Sequence, residues 1–149
     1  MRGRLRDDAG NALVEFTVLA LLLMVPLVYV LLSAFQVQRA AFGVTEAARQ
    51  AGRAFARAES VEAGTARAQA ATRLALADQG IGDAPPPVLE CPGGACLAPG
   101  STVRVTVSYV VDLPVLSLLT PGPGGVGIPV SATHVAVVDT FQEGVGAVG

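Results

Sequence analysis

A long apolar run near the start of the chain, from Ala12 to Phe35, constrains the fold more than any other feature. Across these 24 residues the ionisable groups are the carboxyl of Glu15 and the phenol of Tyr29. As an α-helix the run would be about 36 Å long, enough to cross a hydrocarbon layer roughly 30 Å thick. Pro26 should kink such a helix, and membrane helices tolerate this. The sequence therefore predicts a transmembrane helix over residues 11–35.

The arginines on either side of this run predict its orientation. Arg2, Arg4 and Arg6 precede it, whereas Arg39 is the one arginine close behind it. Because positive residues favour the cytoplasmic side, we expect a cytoplasmic N-terminus and an extracytoplasmic region over residues 36–149. A conventional secretory signal fits less well, since its apolar core is usually about 7–15 residues long. These features indicate a single-pass protein of the cytoplasmic membrane.

Glu15 is out of place in the apolar run. A carboxylate costs up to about 2.5–3.5 kcal/mol at the centre of a bilayer and less near the interface, where the first turn of this helix would lie. An ionisable group in a membrane helix indicates a function and a charged partner. Cleavage after Gly10 would create an ammonium group at Asn11, close to Glu15, which would then be the fifth residue of the mature chain.

This arrangement resembles the class III signal of type IV pilins: Gly10, then Glu15 at the fifth position, then the aromatic Phe16 and a long apolar helix. With its short basic leader, residues 1–10, and its early Pro26, the chain looks most like the TadE-like minor pilins, or pseudopilins, of the tight-adherence (Flp pilus) system. The resemblance covers roughly residues 6 to 58.

The resemblance implies a processing site and a set of partners. A membrane prepilin peptidase would cut between Gly10 and Asn11, and Glu15, followed by Phe16, would serve in processing and assembly. The expected partners are the peptidase, other minor pilins, the major pilin, the pilus assembly platform and the lipid bilayer. The alternative is an uncleaved, single-span envelope protein that displays or scaffolds its outer domain. The mature N-terminus distinguishes the two.

Residues 36–79 are predicted to form an extracytoplasmic helical stalk. Small and apolar residues recur at a heptad-like spacing that lets helices approach closely: Ala41, Thr45, Ala48, Gly52 and Phe55. This row could pack on the chain's own domain or on neighbouring helices, and the sequence favours neither. If the first helix is continuous, it would run from about Leu13 to Ala58.

A second helical stretch follows, with Ser60 as N-cap, Glu62 in its first turn and Gly80 as its stop. It is predicted to end at about Gln79. Its expected inner face consists of Ala68, Ala71, Leu74 and Ala75. The two helices could form one bent helix or a hairpin.

Arg49, Arg53 and Arg57 recur every four residues and therefore share one face of the first helix. A solvated face is the simpler interpretation of this row. A docking face for an acidic partner is the alternative.

Residues 80–149 are predicted to form a small β-rich domain after a linker at 80–87. Val88–Glu90 is a short candidate strand, and 102–111 and 128–139 are longer ones with alternating patterns. On the first long strand Val103, Val105, Val107, Tyr109 and Val111 should share one face. An apolar loop at Leu113–Leu119 and a flexible turn at 120–127 join the long strands. The expected fold class is α+β, a long helix packed on an antiparallel sheet of about three strands.

Cys91 and Cys96 frame a Pro-Gly-Gly turn in the region assigned to the outside of the membrane, which favours a disulfide-closed loop.

The sequence offers no constellation for catalysis. His134, the one histidine, lies in a strand pattern, the acidic residues are scattered, and no glycine-rich loop stands between a strand and a helix. The net charge of −2 gives no sign of nucleic-acid binding. We therefore expect neither enzyme activity nor a cofactor, a metal or a nucleic-acid partner.

Overall fold

The computed structural model describes residues 7–83, 85–113 and 126–140, with side chains from residue 12 onward. The leader residues 1–6 and most of the predicted loop and turn at 113–127 lie outside the described residues. The chain divides into two compact units, Met1–Gln36 and Val37–Gly149. The α+β expectation is confirmed, because the structure has a long apolar helix, a second helix and a small antiparallel sheet.

Helix α1, Asp7–Ala56, begins in the first unit and continues through Pro26. Its large apolar side chains from Leu13 to Leu32 are exposed. Within the described residues, α1 is the one helix long and apolar enough to span a bilayer, with a mean hydropathy of 2.7 over its most apolar window. The hydroxyls of Thr17 and Ser33 donate to carbonyls one turn earlier, so both polar groups are satisfied inside the helix.

In the second unit, the later part of α1 buries one row of mostly small residues: Ala40, Val44, Ala47, Ala48, Ala51, Phe55 and Ala56. Ala48, Gly52 and Phe55 of the predicted row are confirmed as buried. Ala41 and Thr45 are exposed and take no part in this intramolecular packing. Ala40 and Val44, each one position earlier, are buried instead.

The buried row packs on the chain's own sheet. A Cβ at Gly52 would lie 3.1 Å from the Cβ of Ala136 and 3.7 Å from a methyl of Val105. Of the two roles left open by the sequence, the structure shows this intramolecular one. The sheet can approach the helix so closely because glycine and alanine occupy the contact.

Helix α2, Val61–Ala77, has both predicted end signals. The N–H of Ala63 donates to the Ser60 hydroxyl at 3.2 Å, which caps the first turn. At the other end Gly80 has a φ of +74°. The N–H of Ile81 donates to the carbonyl of Leu76, and that of Gly80 to the carbonyl of Ala77. These are the two bonds of a Schellman motif, and the buried Leu76 and Ile81 supply its hydrophobic contact.

The two helices form a hairpin. Near its start, α2 places Gly64 against the ring of Phe55, and near its end Leu76 and Gln79 lie beside Gly43. The start of α2 thus contacts the end of the buried row, and its end contacts an earlier turn of α1, as antiparallel packing requires.

The predicted inner face of α2 was partly wrong. Ala68 and Ala75 are buried, but Ala71 is only half-buried and Leu74 is 67% exposed. Leu76 and Thr72 are buried instead. Thr72 is accommodated because its hydroxyl donates to the carbonyl of Ala68 at 2.9 Å, so this buried donor is satisfied.

The sheet has the order β1-β2-β3 and is antiparallel throughout. Its strands are β1, Val88–Glu90, β2, Thr102–Asp112, and β3, Gly127–Val137. The predicted inner face of β2 is confirmed, with four valines buried and Tyr109 half-buried. On the outer face Thr106 and Thr133 share a hydrogen bond of 3.0 Å.

We expect Gly64→Ala to lower the free energy of unfolding by about 1 kcal/mol. Its Cβ would lie 2.9 Å from the buried Phe55 ring, and the overpacking penalty should exceed the gain in helix propensity. Gly43→Ala is the matched control, because its nearest neighbour at 3.2 Å is the flexible side chain of Gln79. That variant should be neutral or stabilising. Pulse proteolysis in urea measures both, and equal effects would contradict the close packing at Gly64.

Candidate functional site

The predicted processing residues lie within helical backbone. Gly10 and Asn11 belong to α1, and Glu15 and Phe16 follow on its first exposed turns, with Phe16 71% exposed. Among the residues whose side chains are described, none forms a hydrogen bond or ion pair with Glu15. In contrast to Thr17, whose hydroxyl donates to the carbonyl of Leu13, the carboxyl of Glu15 has no partner among the side chains described from residue 12 onward.

The helical spacing places Asn11 and Glu15 one turn apart on the same side of α1, since residues four apart are neighbours on a helix surface. An ammonium at position 11 could therefore face the Glu15 carboxylate while the helix stays intact. Gly10 immediately precedes this pair, and glycine is about 1 kcal/mol less favourable than alanine inside a helix. The bond between Gly10 and Asn11 thus lies in a locally weak part of α1.

Cys91 and Cys96 form the predicted disulfide, with their Cα atoms 5.1 Å apart. Both cysteines are half-buried and pack against the core of the second unit. The intervening turn is closed by the N–H of Gly94, which donates to the carbonyl of Cys91 at 3.0 Å, and the Ser101 hydroxyl donates to the carbonyl of Cys96. The disulfide therefore closes the loop, and its two half-buried cysteines hold the loop against the domain core.

A groove of about 500 Å³ runs between α1 and the end of β3. Arg53, Ala56 and Arg57 line it from the helix, and residues His134 to Thr140 line it from the strand and the turn after it. His134 is half-buried and its ring lies close to Gly52, as a residue on the inner side of a strand should. We name this feature the arginine groove.

The sequence indicates the arginine row and the histidine separately, but it does not show that they lie together. The spacing of Arg53 and Arg57 showed that they share a helix face. It could not show which strand that face borders, because the register of α1 on the sheet depends on where Gly52 allows close approach. Gly52, next to Arg53, is the sequence feature that could have indicated this close approach.

In the part of the chain that the structure describes, no group of three or more His, Cys, Asp or Glu residues lies together in a way that could hold a metal ion. No protein-family model, curated protein or solved structure matches this chain.

Replacing both cysteines with serine should lower the free energy of unfolding by about 2 kcal/mol, because so short a loop constrains the unfolded chain only modestly. Denaturation of the variant against the wild type measures the difference. Thiol labelling of the folded wild type without reductant should give no modification. Stoichiometric labelling of both cysteines would contradict the disulfide.

Proposed function

We propose that this chain is a TadE-like minor pilin that takes part in assembling a tight-adherence type IV pilus. The observation that carries the proposal is the position of Glu15, which has no partner among the described side chains and lies one helical turn after Asn11 at the start of a helix apolar enough to span a membrane. A plain membrane anchor has no use for a carboxylate there. A chain cleaved after Gly10 has one, because it gains an ammonium group on the same side of the helix.

The physical role of Glu15 in this proposal is charge pairing in a medium of low dielectric. The attraction between the Asn11 ammonium and the carboxylate is stronger there than in water, provided that geometry and hydrogen bonds offset desolvation. The ammonium belongs either to the same chain or to a neighbouring subunit. When it belongs to a neighbour, the pair fixes the register of two helices. Phe16, exposed beside Glu15, adds apolar contact to such a neighbour.

The proposed topology has the leader in the cytoplasm, one span in the cytoplasmic membrane and the second unit outside. A disulfide in the second unit supports this, because such bonds persist in oxidising compartments. A prepilin peptidase, other minor pilins, the major pilin and the assembly platform would be the partners. The role is structural, with no catalytic function.

The second candidate is an uncleaved membrane anchor for an extracytoplasmic domain. The helical backbone favours it in one respect, because α1 runs without interruption from Asp7 through the bond between Gly10 and Asn11. Local opening of the helix at Gly10 would have to precede cleavage. The two candidates differ in whether residues 1–10 persist in the mature chain.

Gly10→Val should block processing. Co-expressed with the native prepilin peptidase, we expect the wild type to begin at Asn11 and the variant to keep its full length, because a β-branched side chain replaces the glycine next to the cut. Intact-mass measurement after membrane extraction distinguishes the products. Gly82→Val, at a loop glycine with open space around its Cβ position, is the control and should be processed normally. A wild type that stays uncut would favour the uncleaved anchor.

Glu15→Leu should insert into the membrane normally but fail to support pilus assembly or to co-purify with minor-pilin partners. Removing the carboxylate improves transfer into lipid, so the loss should appear on association and not on insertion. Glu15→Gln tests charge at nearly constant shape, and the exposed Glu46→Gln is the control outside the span. Fractionation, N-terminal mass and filament yield are measured on each. Normal filament yield with Glu15→Leu would count against the pilin function.

A further inference from the structure

The free edge of β3 lacks the features that usually protect an exposed strand. Within the described residues β3 pairs only with β2. Proteins commonly block such edges with proline, charged side chains or bulges. Pro129 blocks pairing along the first half of the strand, but residues 131–137, SATHVAV, contain no proline and no acidic, lysine or arginine residue. No described residue pairs with this half of β3 on the side away from β2, so that side can accept another extended chain.

The backbone geometry indicates which groups face the open edge. The N–H of Val138 donates to the carbonyl of Ser101 at 2.9 Å, and the carbonyl of Val138 accepts from the N–H of Gly100 at 3.1 Å. Val138 thus directs both of its groups toward the β2 side. Along an antiparallel strand, successive residues direct their backbone N–H and C=O groups alternately toward and away from the neighbouring strand. Thr133, Val135 and Val137 therefore direct these groups away from β2.

The arginine groove borders this same half of the strand. Arg53 and Arg57, both exposed, line it opposite residues 134–138. Among the described residues the one salt bridge is Arg104–Glu90, so neither groove arginine has a described acidic side chain within 4.0 Å. Asp139 also lines the groove and has an interaction of its own. Among the described lining residues, two guanidinium groups stand against one carboxylate, so this lining carries excess positive charge.

We propose that the arginine groove and the adjoining edge of β3 bind an extended acidic segment of a partner protein, which adds to the sheet as a fourth strand. Main-chain hydrogen bonds to Thr133, Val135 and Val137 would supply the pairing, and carboxylates toward α1 would pair with Arg53 and Arg57. A second copy of this chain is the less suitable occupant, since it would bring further arginines to a positive groove. The inference does not depend on the pilin proposal.

Binding can be measured on the full chain in a neutral detergent by fluorescence anisotropy. The probe is a labelled ten-residue peptide of alternating Thr and Glu, and its Lys counterpart is the charge control. We expect the Glu peptide to bind and the Lys peptide to bind at least about tenfold more weakly. Arg53→Gln with Arg57→Gln should weaken binding of the Glu peptide about fivefold or more. Arg39→Gln with Arg73→Gln, both exposed and outside the groove, should change it less than about twofold.

Strand addition is tested separately from charge. A Glu peptide N-methylated at alternate residues keeps its carboxylates but loses the hydrogen bonds of one edge, and it should bind at least about tenfold more weakly. Hydrogen-exchange mass spectrometry should show added protection over residues 131–138 with the unmodified peptide only. The proposal would be overturned if the methylated peptide bound as tightly as the unmodified Glu peptide. It would also be overturned if the groove variant and the control variant lost the same amount of affinity for the Glu peptide. So would sedimentation showing that β3 edges pair two copies of this chain while the peptide fails to bind.

Discussion

The structure depends on one constraint, that a single helix must satisfy two different environments along its length. Through residues 12–35, α1 exposes large apolar side chains on every side, which is stable only where water is excluded. From Ala40 onward it exposes mostly polar residues, with Phe42 as an exposed apolar exception, and buries a row of small ones. The first pattern suits lipid, where the helix satisfies its own backbone groups. The second suits a protein core in which backbones approach closely.

The core of the second unit follows from that row. Alanines and Gly52 on α1 contribute little side-chain volume, so valines of β2 and the alanines of β3 and α2 approach the helix directly. Phe55 is the exception, and Gly64 makes room for its ring. The helix hairpin, the Schellman turn at Gly80 and the disulfide then hold the remaining segments on this core. The arginine groove results from the same close approach, since it forms beside Gly52 where α1 borders β3.

Much of this fold was predictable because strong local signals agreed. Ser60 and Gly80 marked the ends of α2, alternation marked β2, and the cysteine spacing marked the disulfide. The buried face was predicted wrongly where a helix is rich in alanine, because all its faces are then similarly apolar. On α2 the pattern predicts Leu74 in the core, where the structure buries Leu76, and Thr72 can be buried at little cost because its hydroxyl bonds its own helix. The site at Glu15 could be proposed from local spacing, whereas the groove needed the register of helix on sheet.

The proposed function requires Glu15 to pair with an ammonium group created at Asn11. Solid-state NMR can measure it directly, as the dipolar coupling between a 15N-labelled Asn11 amine and a 13C-labelled Glu15 carboxyl in purified mature protein assembled in bilayers. Charge pairing predicts a nitrogen-to-carboxyl-carbon distance of about 3–4 Å, which corresponds to a charge-assisted hydrogen bond. A distance beyond about 6 Å, or a chain that still carries residues 1–10, would contradict the account.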